Sequence, residues 1–131
     1  MEVWKKVRIF ATEKTKNRTV IMNNYSAQEK DNRILNLIKD TVRKQEPNAD
    51  IILYGSRARG EARKDSDWDV VVILDKPSLN FSEKGNIDYA LWTKGLEIGE
   101  EINTLEYTRE QWNSLPPSLF KHNVLSEGIR I

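Results

Sequence analysis

The chain has 131 residues, of which 38% are hydrophobic and 31% charged, and its formal net charge at pH 7 is +1. We therefore expect one domain with one modest core and without a second substrate-binding domain of full size. The absence of cysteine excludes disulfides and thiolate zinc sites and fits a reducing cytoplasm. No apolar run approaches the ~18 residues of a membrane span, and the start, Met1 to Lys6, does not resemble a secretory signal, so we expect a cytoplasmic protein.

The charge is unevenly distributed along the chain. Residues 1–21 carry six Lys/Arg and two Asp/Glu, a net charge of +4, whereas residues 22–131 carry 15 Lys/Arg and 18 Asp/Glu, a net charge of −3. Two interpretations fit the basic segment: a solvated tail, which we favour, or a nucleic-acid-binding arm. We expect residues 1–21 to be a disordered basic extension that the domain, residues 22–131, does not need for folding. The charge of −3 on that domain disfavours nucleic acid as a partner.

Helical and strand patterns alternate in the first half of the chain. The segment Ser26-Ala27-Gln28-Glu29 matches a capping box, and apolar residues follow at helical spacing, which predicts a helix over 26–45. A short apolar strand over Asp50–Tyr54 comes next and ends at Gly55. Residues 56–62 are predicted as a turn or a first helical turn.

The second half begins with Asp67–Leu74, the strongest predicted strand, whose nearly continuous apolar run is typical of a strand buried on both faces. The further predictions in chain order are a helix near 86–97, a weaker strand over Glu101–Thr108, a short helix opened by a capping box at Thr108–Gln111, and a last helix from Pro116-Pro117 to Gly128. We expect Trp68, Trp92 and Trp112 to be packing residues. This order of elements predicts an α/β or α+β domain with a small sheet.

Two aspartates, Asp67 and Asp69, stand at the start of the strongest strand. Because side chains alternate along a strand, both carboxylates lie on one face, and Trp68, Val70 and Val72 lie on the other. Two like charges this close repel each other and are costly to desolvate, and a divalent cation removes that cost. Since Mg²⁺ prefers a few carboxylates together with substrate phosphates, the pair predicts a magnesium–phosphate site.

The turn Gly55-Ser56 follows the preceding strand directly. Glycine allows a phosphate to approach the backbone, and N–H groups and a serine hydroxyl bind phosphate oxygens. Cationic side chains that can supply countercharge to a triphosphate lie between this turn and the aspartates: Arg57, Arg59, Arg63 and Lys64. Together these parts predict a two-metal phosphoryl- or nucleotidyl-transfer site that works by positioning and charge neutralisation.

The segment Gly55–Val70 resembles the signature of the polymerase-beta-like nucleotidyltransferase superfamily, in which Gly-Ser, a spacer with glycine and Ser-Asp-x-Asp precede an apolar strand. Its start, Gly-Ser-x-Ala-Arg-Gly, is similar to that of the small prokaryotic minimal nucleotidyltransferases. The resemblance covers residues 26–131 and implies a small mixed sheet flanked by helices, with Mg²⁺ as cofactor and ATP as the expected donor. It also implies nucleotide-binding roles for Gly55, Ser56, Arg59 and Ser66 and metal-binding roles for Asp67 and Asp69.

The resemblance further implies a third carboxylate on a later strand, where it binds a metal and acts as general base. The chain has no clean match for it. Glu101, at the start of the third predicted strand, is the best-placed candidate for both roles, with Glu97, Glu100 and Glu106 as rivals. The alternative is that all four are solvated surface charges, because a base must first be shown to lie near the reacting group.

A partner is implied as well, since many minimal nucleotidyltransferases pair with a helical HEPN protein as toxin and antitoxin, and some adenylylate a hydroxyl of that toxin. We therefore expect magnesium-dependent transfer of AMP from ATP to a hydroxyl on a HEPN-type partner. A non-catalytic antitoxin or regulatory nucleotide-binding module of the same fold is the alternative. A third carboxylate within roughly 5 Å of Asp67 and Asp69 would favour the enzyme.

Overall fold

The computed structural model describes the backbone of residues 18–131 and the side chains from Gln28 onward. In this part of the chain the elements are α1 (Arg18–Gln45), β1 (Asp50–Tyr54), α2 (Ser56–Arg59), β2 (Trp68–Leu74), α3 (Asn86–Ile98), β3 (Ile102–Thr108), α4 (Arg109–Ser114), α5 (Leu119–Glu127) and β4 (Ile129–Arg130). They form a mixed sheet flanked by helices, so the predicted fold class is confirmed. None of the described helices is both long and apolar enough to cross a membrane.

The four strands of the sheet lie in the order β3–β2–β1–β4. β1 is antiparallel to both β2 and β4, and β2 is parallel to β3. A parallel neighbour requires a crossover connection, which α3 supplies. The register sets Tyr54 opposite Asp69 across β1 and β2, and Asn103 beside Asp69 across β2 and β3. The end of β1 and the starts of β2 and β3 therefore meet at one place.

The sheet separates two apolar cores of unequal size. The larger core fills the space between one face of the sheet and helices α1 and α3 and includes Ile38, Leu53, Trp68, Val70 and Leu91. The smaller core lies on the other face, under α4 and α5, and includes Ile52, Val71, Ile73, Trp112 and Val124. Because β2 sends alternate side chains into both cores, it is buried along nearly its whole length, as predicted.

The first helix is longer than predicted. It begins at Arg18, so the segment Ser26–Glu29 lies inside the helix and does not cap its start. Residues 18–25 include neither glycine nor proline, so nothing in that segment breaks the helix upstream of Ser26. The predicted boundary between residues 21 and 22 falls within α1. Residues 1–17 lie outside the described residues, and the predicted disorder and dispensability of the extension stay predictions.

The predicted capping box at Thr108 is confirmed. The Thr108 hydroxyl accepts a hydrogen bond from the backbone N–H of Gln111 at 3.1 Å, and the Gln111 side chain accepts one from the backbone N–H of Thr108 at 2.9 Å. These reciprocal bonds satisfy two donors at the start of α4 and fix the direction in which the chain leaves β3.

The packing prediction for Trp92 is wrong, although Trp68 and Trp112 are buried as predicted. Helix α3 buries Ile87, Leu91 and Gly95, which repeat every four residues along one face. Trp92 follows this face by one position, and its side chain is 47% exposed.

Candidate functional site

The predicted phosphate turn and the predicted aspartate pair lie in direct contact. Gly55 follows β1 with φ 75° and ψ −158°, a backbone conformation that is open essentially to glycine alone. A Cβ atom on Gly55 would lie 2.6 Å from Oδ2 of Asp69. The pairing of Tyr54 with Asp69 produces this approach, because it sets the end of β1 against the start of β2. Glycine is therefore required at position 55 for both its backbone conformation and its missing side chain.

Both aspartates lie on the sheet face of the smaller core, as alternation predicts, and both are partly exposed. Burial raises the pKa of Asp69 above its ordinary value, and the charge of Asp67 raises it further. A hydrogen bond from Asn103 and the charge of Arg59 lower this pKa but do not cancel the rise. The pair is thus a concentrated negative charge that the neighbouring side chains neutralise only in part.

Asn103 is a residue of this site that the sequence did not predict. It stands beside Asp69 in the parallel register, and its side-chain amide donates a hydrogen bond to Oδ2 of Asp67 at 3.3 Å. The sequence offers no direct signal for it, because the register across the crossover helix fixes its position and because an amide is not a candidate in a search for acids.

Glu101, predicted as third metal ligand and base, is exposed and lies one residue before β3. Its backbone carbonyl accepts the N–H of Trp68 at 2.8 Å, which places it level with Asp67 across the two strands. Within residues 28–131, however, no three acid, histidine or cysteine side chains are placed so that they could hold one metal ion. The structure therefore does not bring Glu101 into a cluster with Asp67 and Asp69, and the geometry gives no support to its predicted roles.

The rival glutamates have other partners. The Glu100 side chain is buried, accepts the indole N–H of Trp68 at 3.2 Å and pairs with Lys30 at 3.0 Å. Glu106 accepts the backbone N–H groups of Gly85 and Ile87 at the start of α3. Glu97 is exposed and lies 4.0 Å from Lys94. Among residues 28–131, none of these three glutamates forms a possible metal-binding group with the aspartate pair.

Arg57 contacts Trp68 and the loop that precedes Asp67. Its guanidinium group lies 4.4 Å from the ring centre of Trp68 and donates to the backbone carbonyl of Ser66 at 2.9 and 3.3 Å. Its side chain is 9% exposed. These contacts assign Arg57 to the loop that leads to Asp67, and a role as countercharge to a triphosphate stays a prediction.

Ser66, predicted to bind nucleotide, takes part in the same loop. Its hydroxyl accepts the backbone N–H of Arg63 at 2.7 Å, and its carbonyl accepts the two bonds from Arg57. The side-chain hydroxyl and the carbonyl of Ser66 thus stabilise the turn that precedes Asp67. Its nucleotide-binding role stays a prediction.

Arg59 is a cation that lies close to the aspartates. Its charge lowers the pKa of Asp69, which places it within electrostatic reach of the pair. Its guanidinium group also forms ion pairs with Glu61 at 3.1 Å and Glu127 at 3.0 Å, and these partners raise the pKa of Arg59 further. Because such exposed pairs contribute little stability, Arg59 can exchange them for an anionic ligand at small cost.

The sequence from residue 35 to residue 129 matches the family of nucleotidyltransferase domains. The chain belongs to this family. The matched segment contains the glycine turn, both aspartates and Asn103, so the features that define the site of this nucleotidyltransferase domain all lie inside it.

A solved structure shows the same fold. A crystal structure of a toxin–antitoxin with AMP-PNP is similar to this nucleotidyltransferase domain with a TM-score of 0.52 and 20% sequence identity, over 72% of this chain and 69% of that chain. The comparison with curated proteins found no match.

Proposed function

We propose that this domain binds Mg²⁺ together with ATP and transfers the nucleotidyl group of ATP to a hydroxyl on a partner protein. The observation that supports this most directly is the contact of the glycine turn with Asp69, where a Cβ atom would come within 2.6 Å of the carboxylate. Backbone and carboxylate border the same small space, so a phosphate held at the turn would lie beside the aspartate pair.

The donor set at this place suits Mg²⁺. Two carboxylates offer hard oxygen ligands, and Mg²⁺ completes its octahedron with water and phosphate oxygens. The pKa of Asp69 is raised because burial and repulsion from Asp67 are only partly offset by Asn103 and Arg59. A divalent cation bound between the carboxylates would remove this repulsion. Asp67 and Asp69 would hold the ion. When bound, it would activate the attacking oxygen and neutralise charge on the leaving pyrophosphate.

The protein's own groups position the donor. The backbone at Gly55 and Ser56, at the start of α2, binds phosphate oxygens, and Arg59 turns from Glu61 and Glu127 to the triphosphate. The acceptor oxygen forms a bond to the α-phosphorus while the bond from that phosphorus to pyrophosphate breaks. The hydroxyl proton passes to solvent, since the described residues place no third carboxylate in a cluster with the pair.

Two considerations support a protein as the acceptor. The segment that matches the family, residues 35–129, is too small to enclose a separate acceptor by itself. The similar structure is that of a toxin–antitoxin with AMP-PNP, an analogue of ATP. A HEPN-type toxin, which the sequence resemblance implies, is the partner we propose.

A second function is favoured by one observation. Asn103, a neutral residue, stands beside Asp69, and the described residues hold no cluster of three acids. These facts fit an antitoxin or regulatory module that binds the magnesium–nucleotide complex without turnover.

The experiment that separates the two functions measures both binding and transfer. The purified chain is incubated with Mg²⁺, ATP labelled at the α-phosphate and the protein that co-purifies with it. We expect label on the partner, its loss in Asp69→Asn, and its retention in Asp75→Asn, which changes an exposed acid beyond the other end of β2. Unchanged transfer by Asp69→Asn would refute the site.

Two further arms complete this experiment. Calorimetry with Mg²⁺ and a non-hydrolysable ATP analogue reports binding alone, so binding without label on the partner would select the non-catalytic module. Transfer by Glu101→Gln tests the predicted base directly, and we expect it to match the wild type.

A further inference from the structure

The environment of Asn103 differs from that of an ordinary exposed residue on an edge strand. The parallel register sets it beside Asp69, and its amide nitrogen lies 3.3 Å from Oδ2 of Asp67. The same amide lowers the pKa of Asp69 by hydrogen bonding. One side chain from β3 thus lies close to the carboxylates of both Asp67 and Asp69.

The amide acts on the pair in two ways. Its two N–H donors offset part of the repulsion between the carboxylates and fix where the Asp67 side chain points, since β2 begins only at Trp68. Because the amide carries no charge, the charge at this place stays at that of two carboxylates. A cation that binds here therefore meets two carboxylates that are already in position. The negative charge that attracts it is that of these two carboxylates, because the amide adds none.

We propose that Asn103 is a positioning residue that orders Asp67 and Asp69 for a divalent cation and that its neutral side chain sets the affinity of the site for that cation. This inference rests on the proposed function, because it assumes that the aspartate pair binds the metal. It adds that a residue on the neighbouring strand determines how tightly the metal is held.

Two substitutions at position 103 should move the affinity in opposite directions. Asn103→Ala removes the donors and leaves the carboxylates unordered, and the loss of a hydrogen bond to a charged group corresponds to roughly tenfold weaker cation binding. Asn103→Asp places a third negative charge next to the cation, which should tighten binding by about fivefold or more. A residue that serves only the fold would not produce opposite shifts.

The test measures binding of Mn²⁺, a stand-in for Mg²⁺, to the full chain by electron paramagnetic resonance without nucleotide, with thermal melting in EDTA as the check on folding. Leu105→Ala is the matched control, because Leu105 is exposed on the same face of β3, two residues further on. We expect Leu105→Ala to bind as the wild type does, with Asn103→Ala weaker and Asn103→Asp tighter. Wild-type affinity in either Asn103 variant would overturn the inference. Failure of the wild type itself to bind Mn²⁺, even when a non-hydrolysable ATP analogue is added, would refute the proposed function.

Discussion

Replacing Gly55 by alanine would test the contact on which the site is built. At φ 75° and ψ −158°, a residue with a side chain costs about 1–3 kcal/mol. The added Cβ would also lie 2.6 Å from Oδ2 of Asp69, so the carboxylate must leave its rotamer at a further cost of about 0.5–1.5 kcal/mol. Together the two costs amount to about 1.5–4.5 kcal/mol. For a chain of this size about 1 kcal/mol corresponds to about 4 °C in Tm, so we expect Gly55→Ala to melt about 6–18 °C lower. The displaced carboxylate should also bind Mn²⁺ at least tenfold more weakly, about 1.4 kcal/mol or more.

A control and a double-mutant cycle separate the two costs. Gly85 has a similar φ of 80°, and a Cβ there would meet nothing within 4 Å, so Gly85→Ala should lose only about 1–2 kcal/mol and keep wild-type metal binding. In an Asp69→Ala background the steric cost disappears, so Gly55→Ala should then cost less by about 0.5–1.5 kcal/mol. Urea unfolding measures these differences. Additive effects in the cycle, or wild-type metal affinity in Gly55→Ala, would refute the reasoning.

Two further predictions concern charged groups. Burial raises the pKa of Asp69, so in metal-free protein its contribution to stability is complete below the ordinary aspartate pKa of about 4 and is lost as the pH rises through the raised value. The melting temperature of Asp69→Asn in EDTA, relative to wild type, should therefore increase from about pH 4.5 to about pH 7.5, and a decrease would contradict the pKa assignment. Arg57→Ala should lower the free energy of unfolding by about 2–3 kcal/mol, because it removes charged hydrogen bonds to Ser66 and a cation from Trp68, and Arg57→Lys should recover only part of this, since lysine lacks the planar fork. Unchanged stability of Arg57→Ala together with weaker ATP binding would return Arg57 to a phosphate-binding role.

Local sequence patterns determined much of the fold. The strand Trp68–Leu74, the capping box at Thr108 and the glycine at 128 that ends α5 were predicted correctly, because each depends on neighbours within a few residues. The predicted start of α1 was wrong, because a Ser-x-x-Glu pattern can also lie in the interior of a longer helix. The two-residue strand β4 carries too few side chains for any periodic signal.

Only part of the candidate site could be predicted from the sequence: the aspartates at the start of β2 and the turn at Gly55. Alternation placed Asp67 and Asp69 on one face, and glycine marked the turn. The position of Asn103 depends on a parallel register set by packing of α3, which no short pattern encodes. The contact of Arg57 with Trp68 was not predicted either, because only the folded chain places the ring of Trp68 beneath the guanidinium group.

The alternation of β2 between the two faces of the sheet has a consequence for how the fold is specified. If β2 slipped by one residue against β1, every side chain would change face, so Asp67 and Asp69 would enter the larger core and Trp68 and Val70 would leave it. Burying two unpaired carboxylates costs several kcal/mol each, so the misregistered sheet is strongly disfavoured. The residues proposed to bind metal thus also help to exclude the shifted register. Apolar substitution of both aspartates would reduce the free-energy difference between the two registers and would also abolish the site.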